Sequence, residues 1–385
     1  MSLLSNGFLG LVAVLALLIS AGAWRFWNRW SGWHGALSRA VSLFLVLVMG
    51  AVSAAAYTNH VFGFYASVDD LLGSIPAQRY QPPSSFASSG GRATVTVETP
   101  SWQSLVVQNA KAGHGTLLTA VLPGPLSHIT RRALLYLPAA YSRDDRSVAF
   151  PVIEMFNGYP GKPSNFPRLL ALGPTIDAEV AAGRMPPAIV VIPTVYEHRS
   201  SECVNAVNNG ERDETYLAVD VPADLAAAFR VAAGRSFGAL GYSEGGFCAA
   251  NLGLHHPDRY SAVVSLSGYF TAGVAAKTIP YLYGKQKTAI NRNSPLWWVR
   301  HRNPTGPPLW LMSSSGDPSA VKDATRLRNA ARRYAPRLTV VTPVVEGGGH
   351  NFNTWLRAFP PALDFLGANL PAPLAPPLTL PSLPR

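Results

Sequence analysis

The stretch Gly241-Tyr242-Ser243-Glu244-Gly245-Gly246 sets a serine among small residues, after the apolar run Phe237 to Leu240 and before the Ala-rich stretch Phe247 to Leu252. Gly-x-Ser-x-Gly at a strand-to-helix junction makes a tight turn that leaves the serine Oγ exposed at a helix N-terminus. The helix dipole and the unpaired N–H groups there favour negative charge, which is what attack on a carbonyl creates. The bare pattern also occurs by chance, and an ordinary turn serine would carry the same letters. The strand before it and the helix after it make Ser243 a specific candidate for the nucleophile of acyl chemistry.

A serine hydroxyl needs a base, and in this context the chain order is Ser, acid, His. His301 and His350 are the two histidines to consider. His301 lies in a polar connection, whereas His350 follows the last apolar strand in Glu346-Gly347-Gly348-Gly349-His350-Asn351-Phe352. Glycines there let a loop turn sharply beneath the nucleophile, a place that suits a general base. A loop histidine with only local hydrogen bonds is the bland reading. Asp317 follows the run Leu309 to Ser313 and is placed to orient the imidazole; Asp323 and Glu346 compete, each within a few residues of a strand end. The oxyanion would be held by two backbone amides. One is Glu244 N–H, directly after the nucleophile. The other belongs to Asn157-Gly158-Tyr159-Pro160-Gly161, where Pro160 has no N–H and Tyr159 N–H is preferred. A plain turn is the alternative there.

Other reactive residues read more plainly. Cys203 and Cys248 are too few for a disulfide scaffold and lack metal-site spacing. Outside the cytoplasm they could join in one bridge; two buried thiols are the alternative. The acidic cluster Glu211, Asp213, Glu214 has no histidine at ligand spacing and reads as a solvated helix start. His255 and His256 close the elbow helix, where cations are favoured. His198 offers no more than a place at a pocket rim. The chemistry requires no metal or organic cofactor.

The elements that must position these residues come next. Apolar runs separated by helical stretches begin near Val148: FPVIEMF, AIVVIPT, FGALGYS, AVVSLSG, PLWLMSS and LTVVTPV. Such alternation predicts a mainly parallel sheet with helices on both faces, hence an α/β fold. Ahead of it, ATVTV, GTLLTAVL and ITRRALLYLP predict antiparallel strands, with the catalytic domain spanning 92–370. Two uncharged apolar runs, Phe8 to Trp24 and Ala40 to Tyr57, predict transmembrane helices at about 4–24 and 39–57 within an anchor at 1–70. Between them lie Arg25, Arg29 and Arg39 with four tryptophans, which places the connection inside and the catalytic domain outside the cytoplasmic membrane. A cleaved signal peptide competes, since Ser53 to Ala56 resembles a cleavage site, but Met1 to Gly7 lacks a basic region. Phe62 to Ser67 suggests an interfacial collar, 71–91 a linker, and 371–385 a Pro-rich disordered tail. Apolar residues make up 48% and charged residues 14%, with a formal charge of +11. The Lys and Arg look scattered, with no dense basic helix and no nucleic-acid module, so the charge is read as membrane proximity rather than nucleic-acid binding.

Taken in order, these motifs resemble the bacterial esterase family of α/β-hydrolases that includes esterase D-like enzymes, feruloyl esterases and mycolyltransferases. The resemblance runs from about 115 to 368. It is carried by Leu135 to Tyr141, Asn157-Gly158, Glu214 to Leu217 leading to Asp220-Val221-Pro222, the elbow at Ser243, the Asp317 loop and Gly349 to Trp355. The N-terminal portion is similar to a membrane-anchored branch. The resemblance implies an α/β-hydrolase fold and ester chemistry through a serine acyl-enzyme, acting on an ester substrate with a lipid or envelope glycan as a candidate. Mycolyltransferases carry an acid before the oxyanion-turn glycine and an arginine soon after, and Asn157 and Pro160 stand at those places here. Hydrolysis is therefore the expectation, with envelope acyl transfer by the same residues, or a silent surface-binding protein, as alternatives.

Overall fold

A computed structural model describes residues 3, 5–29, 31–62, 94–142, 147–197, 199–207, 210–274, 279–284 and 286–373. The expected linker, the segment following Phe62, most of the Pro-rich tail and His198 lie outside the described residues. The chain divides into two compact units: Met1–Ser89 with Gly349–Asn353, and Gly90–Gly348 with Thr354–Arg385.

The first unit holds the helices Asn6–Phe26 and Gly32–Phe62, joined by a 3₁₀ turn at Trp27–Arg29 and packed on each other. Both are long and apolar enough to cross a membrane. Leu17, Leu18, Phe44 and Leu47 are exposed along them, an arrangement suited to hydrocarbon and costly in water. The second helix begins at Gly32, well before the expected 39, because no proline lies between Trp33 and Arg39 and the single Gly35 is tolerated within a long helix. The connection is correspondingly short. Arg39 Nε donates to the Trp27 carbonyl at 3.3 Å and its guanidinium lies 5.5 Å from the Trp27 ring centre.

The second unit is built on a sheet of strands β1 (Thr96–Val97), β2 (Thr116–Gly124), β3 (Ile129–Leu137), β4 (Val152–Phe156), β5 (Ile189–Pro193), β6 (Phe237–Tyr242), β7 (Tyr260–Leu266), β8 (Leu309–Ser314), β9 (Val340–Val341) and β10 (Val344–Val345). Their order is β1-β2-β3-β5-β4-β6-β7-β8-β10, with β9 also on β8. The β2–β3 hairpin and its neighbours β1 and β5 pair antiparallel, and the remaining ladders are parallel. The two regimes follow from burial. β2 buries Leu118, Ala120 and Leu122 in alternation, whereas β4, β5 and β6 are buried at every position, as strands covered by helices on both faces must be. Two departures from expectation appear. A helix at Trp102–Lys111 separates β1 from β2, and the run LTVVTPV forms two short strands rather than one.

The acidic cluster is a correction. Asp213 is fully buried, not solvated, and accepts a hydrogen bond from Arg131 Nη1, while Arg131 Nη2 donates to Glu211 at 3.0 Å. Arg131 lies in β3 with its side chain 3% exposed, so each charge is buried on account of the other. Burial pushes the Asp213 carboxyl up to about 6, with Arg131 pulling it down. Glu214 instead meets His255 Nδ1 at 2.9 Å and His256 Nε2 at 3.1 Å, at the end of the elbow helix. Burial would raise its carboxyl, but the two imidazole hydrogen bonds prevail and bring it to about 2. Arg131→Met should leave Asp213 buried and unpartnered and lower the unfolding free energy by about 3–5 kcal/mol. Urea unfolding checks this, and an unchanged midpoint would mean the pair contributes nothing.

Candidate active site

β6 delivers the chain into the turn at Ser243, and the helix Glu244–His255 leaves it. Ser243 sits at φ 55° and ψ −122°, a strained conformation for a residue with a side chain. Surrounding backbone holds it there: Ser243 N–H donates to the Leu266 carbonyl at the end of β7 (2.8 Å), and the Ser243 carbonyl accepts from Gly246 N–H (3.0 Å) and Phe247 N–H (3.3 Å). The helix can follow so sharply because position 245 has no side chain; a Cβ there would lie 1.9 Å from the Phe156 carbonyl oxygen. β4 ends at that carbonyl, so the same close approach brings the turn after β4 beside Ser243. A Cβ on Gly158 would be 2.9 Å from the Ser243 Cβ.

The turn after β4 is organised by a residue that the motifs did not single out. Tyr196, just beyond β5, places its hydroxyl to accept from Gly161 N–H, 2.7 Å from the Gly161 carbonyl and 3.1 Å from that of Gly158. Asn157 Nδ2 donates to the Gly158 carbonyl at 3.0 Å. Tyr159 itself is 45% exposed, with its ring edge-on to Tyr196 at 4.9 Å. The available signal for Tyr196 was an aromatic residue shortly after a buried strand.

Asp317 follows β8 and caps the helix Pro318–Tyr334. Its Oδ1 accepts from Ser319 Oγ (2.8 Å) and Ala320 N–H (3.2 Å), and the residue is 5% exposed. The competing acids sit differently. Asp323 lies one turn into that helix, 3.7 Å from Arg326, and Glu346 is exposed. β10 pairs with β8 and carries the chain to Gly347, whose N–H donates to Ser315 Oγ at 2.8 Å; Ser314 Oγ donates to the Gly348 carbonyl at 3.3 Å. His350 is half-buried, two residues further on. Beyond it, Trp355 stacks on Tyr242 at 4.7 Å and donates from Nε1 to Ser267 Oγ at 3.1 Å. His301 lies on the helix Pro295–Arg302 rather than in a connection, exposed, donating from Nδ1 to the Trp297 carbonyl at 2.8 Å.

The loop after β5 reaches the elbow a second time. Ser200 Oγ donates to Glu244 Oε2 at 2.6 Å. Glu202, fully buried, accepts from Gly273 N–H (2.8 Å), Val274 N–H (3.2 Å), Tyr269 OH (3.2 Å) and Tyr283 OH. Cys203 is joined by a disulfide to Cys248 of the elbow helix. Glu244 has its carboxyl pushed up to about 7 by burial, against the Ser200 hydrogen bond and with the neighbouring Glu202 adding to the rise. A raised folded-state value favours the neutral form, so this contribution to stability is complete at low pH and is lost as pH rises through about 7. Glu244→Gln should therefore lose less stability than the parent chain between about pH 5.5 and pH 8.5. Urea midpoints at the two values test this; equal losses would show that Glu244 does not titrate there.

Among the described residues, no group of three or more His, Cys, Asp or Glu could hold a metal ion. The sequence profile of the family described as Putative esterase matches residues 129–366, which is more than half of the chain. The chain belongs to this esterase family. An uncharacterized protein of Corynebacterium glutamicum is 28% identical to this chain over 268 residues, 66% of this chain and 62% of its own length. The match thus spans less than two thirds of that relative. Among solved structures, a ferulic acid esterase superposes with a TM-score of 0.57 at 18% identity, covering 66% of this chain and 98% of its own chain. An S-formylglutathione hydrolase from Agrobacterium tumefaciens gives 0.58 at 13%, covering 67% and 96%. MPT51 of Mycobacterium tuberculosis gives 0.50 at 16%, covering 65% and 97%. At these identities the likeness shows the fold.

Proposed function

We propose that this chain is a serine ester hydrolase anchored by its two apolar helices, with the catalytic unit on the outer side of the cytoplasmic membrane. Ser243 attacks the ester carbonyl as His350 takes its proton, and Asp317 orients His350 and balances the imidazolium. The amides of Tyr159 and Glu244 hold the oxyanion, and water then releases the acid from the acyl-enzyme. The observation that carries this reading is the strained strand-to-helix turn at Ser243 with the Gly158 turn directly beside it. For His350 the support is chain order and the anchoring of the residues on either side of it, Gly347 and Gly348 before and Trp355 after. For the anchor it is the length and apolar character of the two helices, and for its orientation the arginines Arg25, Arg29 and Arg39 between them.

The decisive experiment is labelling of the full chain with a fluorophosphonate, followed by peptide mass spectrometry. A stoichiometric adduct on Ser243 is expected; a folded chain that stays unlabelled would favour the silent binding protein. The reach of an acyl-enzyme to any alcohol keeps transfer as the second reading. Partition of a trapped acyl-enzyme to an added sugar alcohol faster than to water would select it.

A further inference from the structure

Lys and Arg look scattered along the sequence, yet residues 259–345 hold thirteen of them against two carboxylates, Asp317 and Asp323. The net +11 of this stretch equals the formal charge of the whole chain. Folding gathers what sequence order separates. Arg235 precedes β6 and Arg259 precedes β7; Arg300 and Arg302 end the helix that leads into β8; Arg332 and Arg333 end the helix that leads toward β9. β6, β7, β8 and β9 run parallel, so these six arginines gather at the amino ends of the strands. Ser243 and Asp317 follow carboxyl ends, at the opposite edge of the sheet. Arg300, Arg302, Arg332 and Arg333 are exposed and enter no ion pair among the described residues. Trp297, beneath Arg302, and the 42% exposed Tyr334 add amphipathic rings to the same rim. Asp258 is the exposed acid beside them.

We infer that this basic rim rests on anionic lipid headgroups, so that the catalytic end faces away from the bilayer and takes esters presented from the envelope side. The inference rests on the membrane-anchored reading above. Two apolar helices in the same chain bring this unit to a lipid surface, and the rim has the charge and the interfacial aromatics that such a surface selects. The six rim arginines lie apart in sequence because the connections before successive strands each contribute their own, and the parallel sheet brings them to one edge.

Hydrogen exchange of the full chain tests the inference, in nanodiscs of phosphatidylcholine with and without phosphatidylglycerol. Peptides covering 298–302 and 332–337 should exchange about tenfold more slowly in the anionic discs, and high salt should remove that protection. Arg300→Glu with Arg302→Glu, Arg332→Glu and Arg333→Glu should remove it at low salt while hydrolysis of a soluble p-nitrophenyl ester is unchanged. Equal exchange in both discs, or protection that survives high salt, would overturn the inference. So would protection by dextran sulfate in phosphatidylcholine discs with none from phosphatidylglycerol, which would point to a soluble polyanion. Fluorophosphonate labelling of Ser243 in the same discs separates failure of this inference from failure of the catalytic reading, and loss of the chain from discs in carbonate would expose failure of the anchor.

Discussion

Ser243→Ala should reduce hydrolysis of p-nitrophenyl esters by about five to six orders of magnitude and abolish fluorophosphonate labelling. On the proposed mechanism, the size of the effect follows from a triad that works as a unit. Once the nucleophile is gone, the base and its acid have no proton to move, and the oxyanion amides and substrate binding supply what rate is left. The substitution deletes one oxygen and leaves the glycines that shape the turn untouched, so the melting temperature should move little. Steady-state kinetics on the purified full chain, with an active-site titration to exclude contaminating hydrolases, gives the answer. A variant that keeps more than a hundredth of the activity would remove Ser243 from the role of nucleophile.

Gly245→Ala should strongly disrupt the elbow. The added Cβ would lie 1.9 Å from the Phe156 carbonyl oxygen and 2.9 Å from that of Asn157. Both are backbone atoms, at the end of β4 and in the turn that follows it, so no rotamer change relieves the overlap. The helix has to back away from β4, losing about 3 kcal/mol or more and pulling Ser243 off the Gly158 turn. Urea unfolding and kcat/KM on the same preparation check both parts. Parent-like stability would show that the helix and β4 are further apart than described.

The elbow and the parallel strands could be read in advance because each is a local pattern: small residues at a strand-to-helix junction, and apolar runs buried on both faces. Asp213 could not be read this way. Its acidic neighbours made it look solvated, and the arginine that buries it lies in β3, far back in the chain. Tyr196 was hidden for the same reason, since its hydroxyl acts on a turn that follows a different strand. The helix Trp102–Lys111 carries apolar residues at Trp102, Leu105, Val106 and Val107, and the sequence reading passed over it between two strand-like runs. The second N-terminal helix starts earlier than an arginine- and tryptophan-rich loop would allow, because both residues are compatible with helix. Chain order proposes Ser243, Asp317 and His350 together, whereas the cap that Asp317 makes on its own helix depends on the fold around Ser319 and Ala320.

The split of the last strand into β9 and β10 has a consequence for how copies of the chain behave when they are concentrated in two dimensions. This strand forms the open border of the sheet, and Val341 and Val344 are both exposed along it. A long apolar border of this kind invites a strand from a neighbouring molecule to add to the ladder. Here the Pro343 carbonyl turns inward to Ser313 N–H, and β9 and β10 are each only two residues long, so an incoming strand finds only short segments to pair with. The shortness of the border strands thereby limits addition of a neighbouring strand, without a charged residue on them.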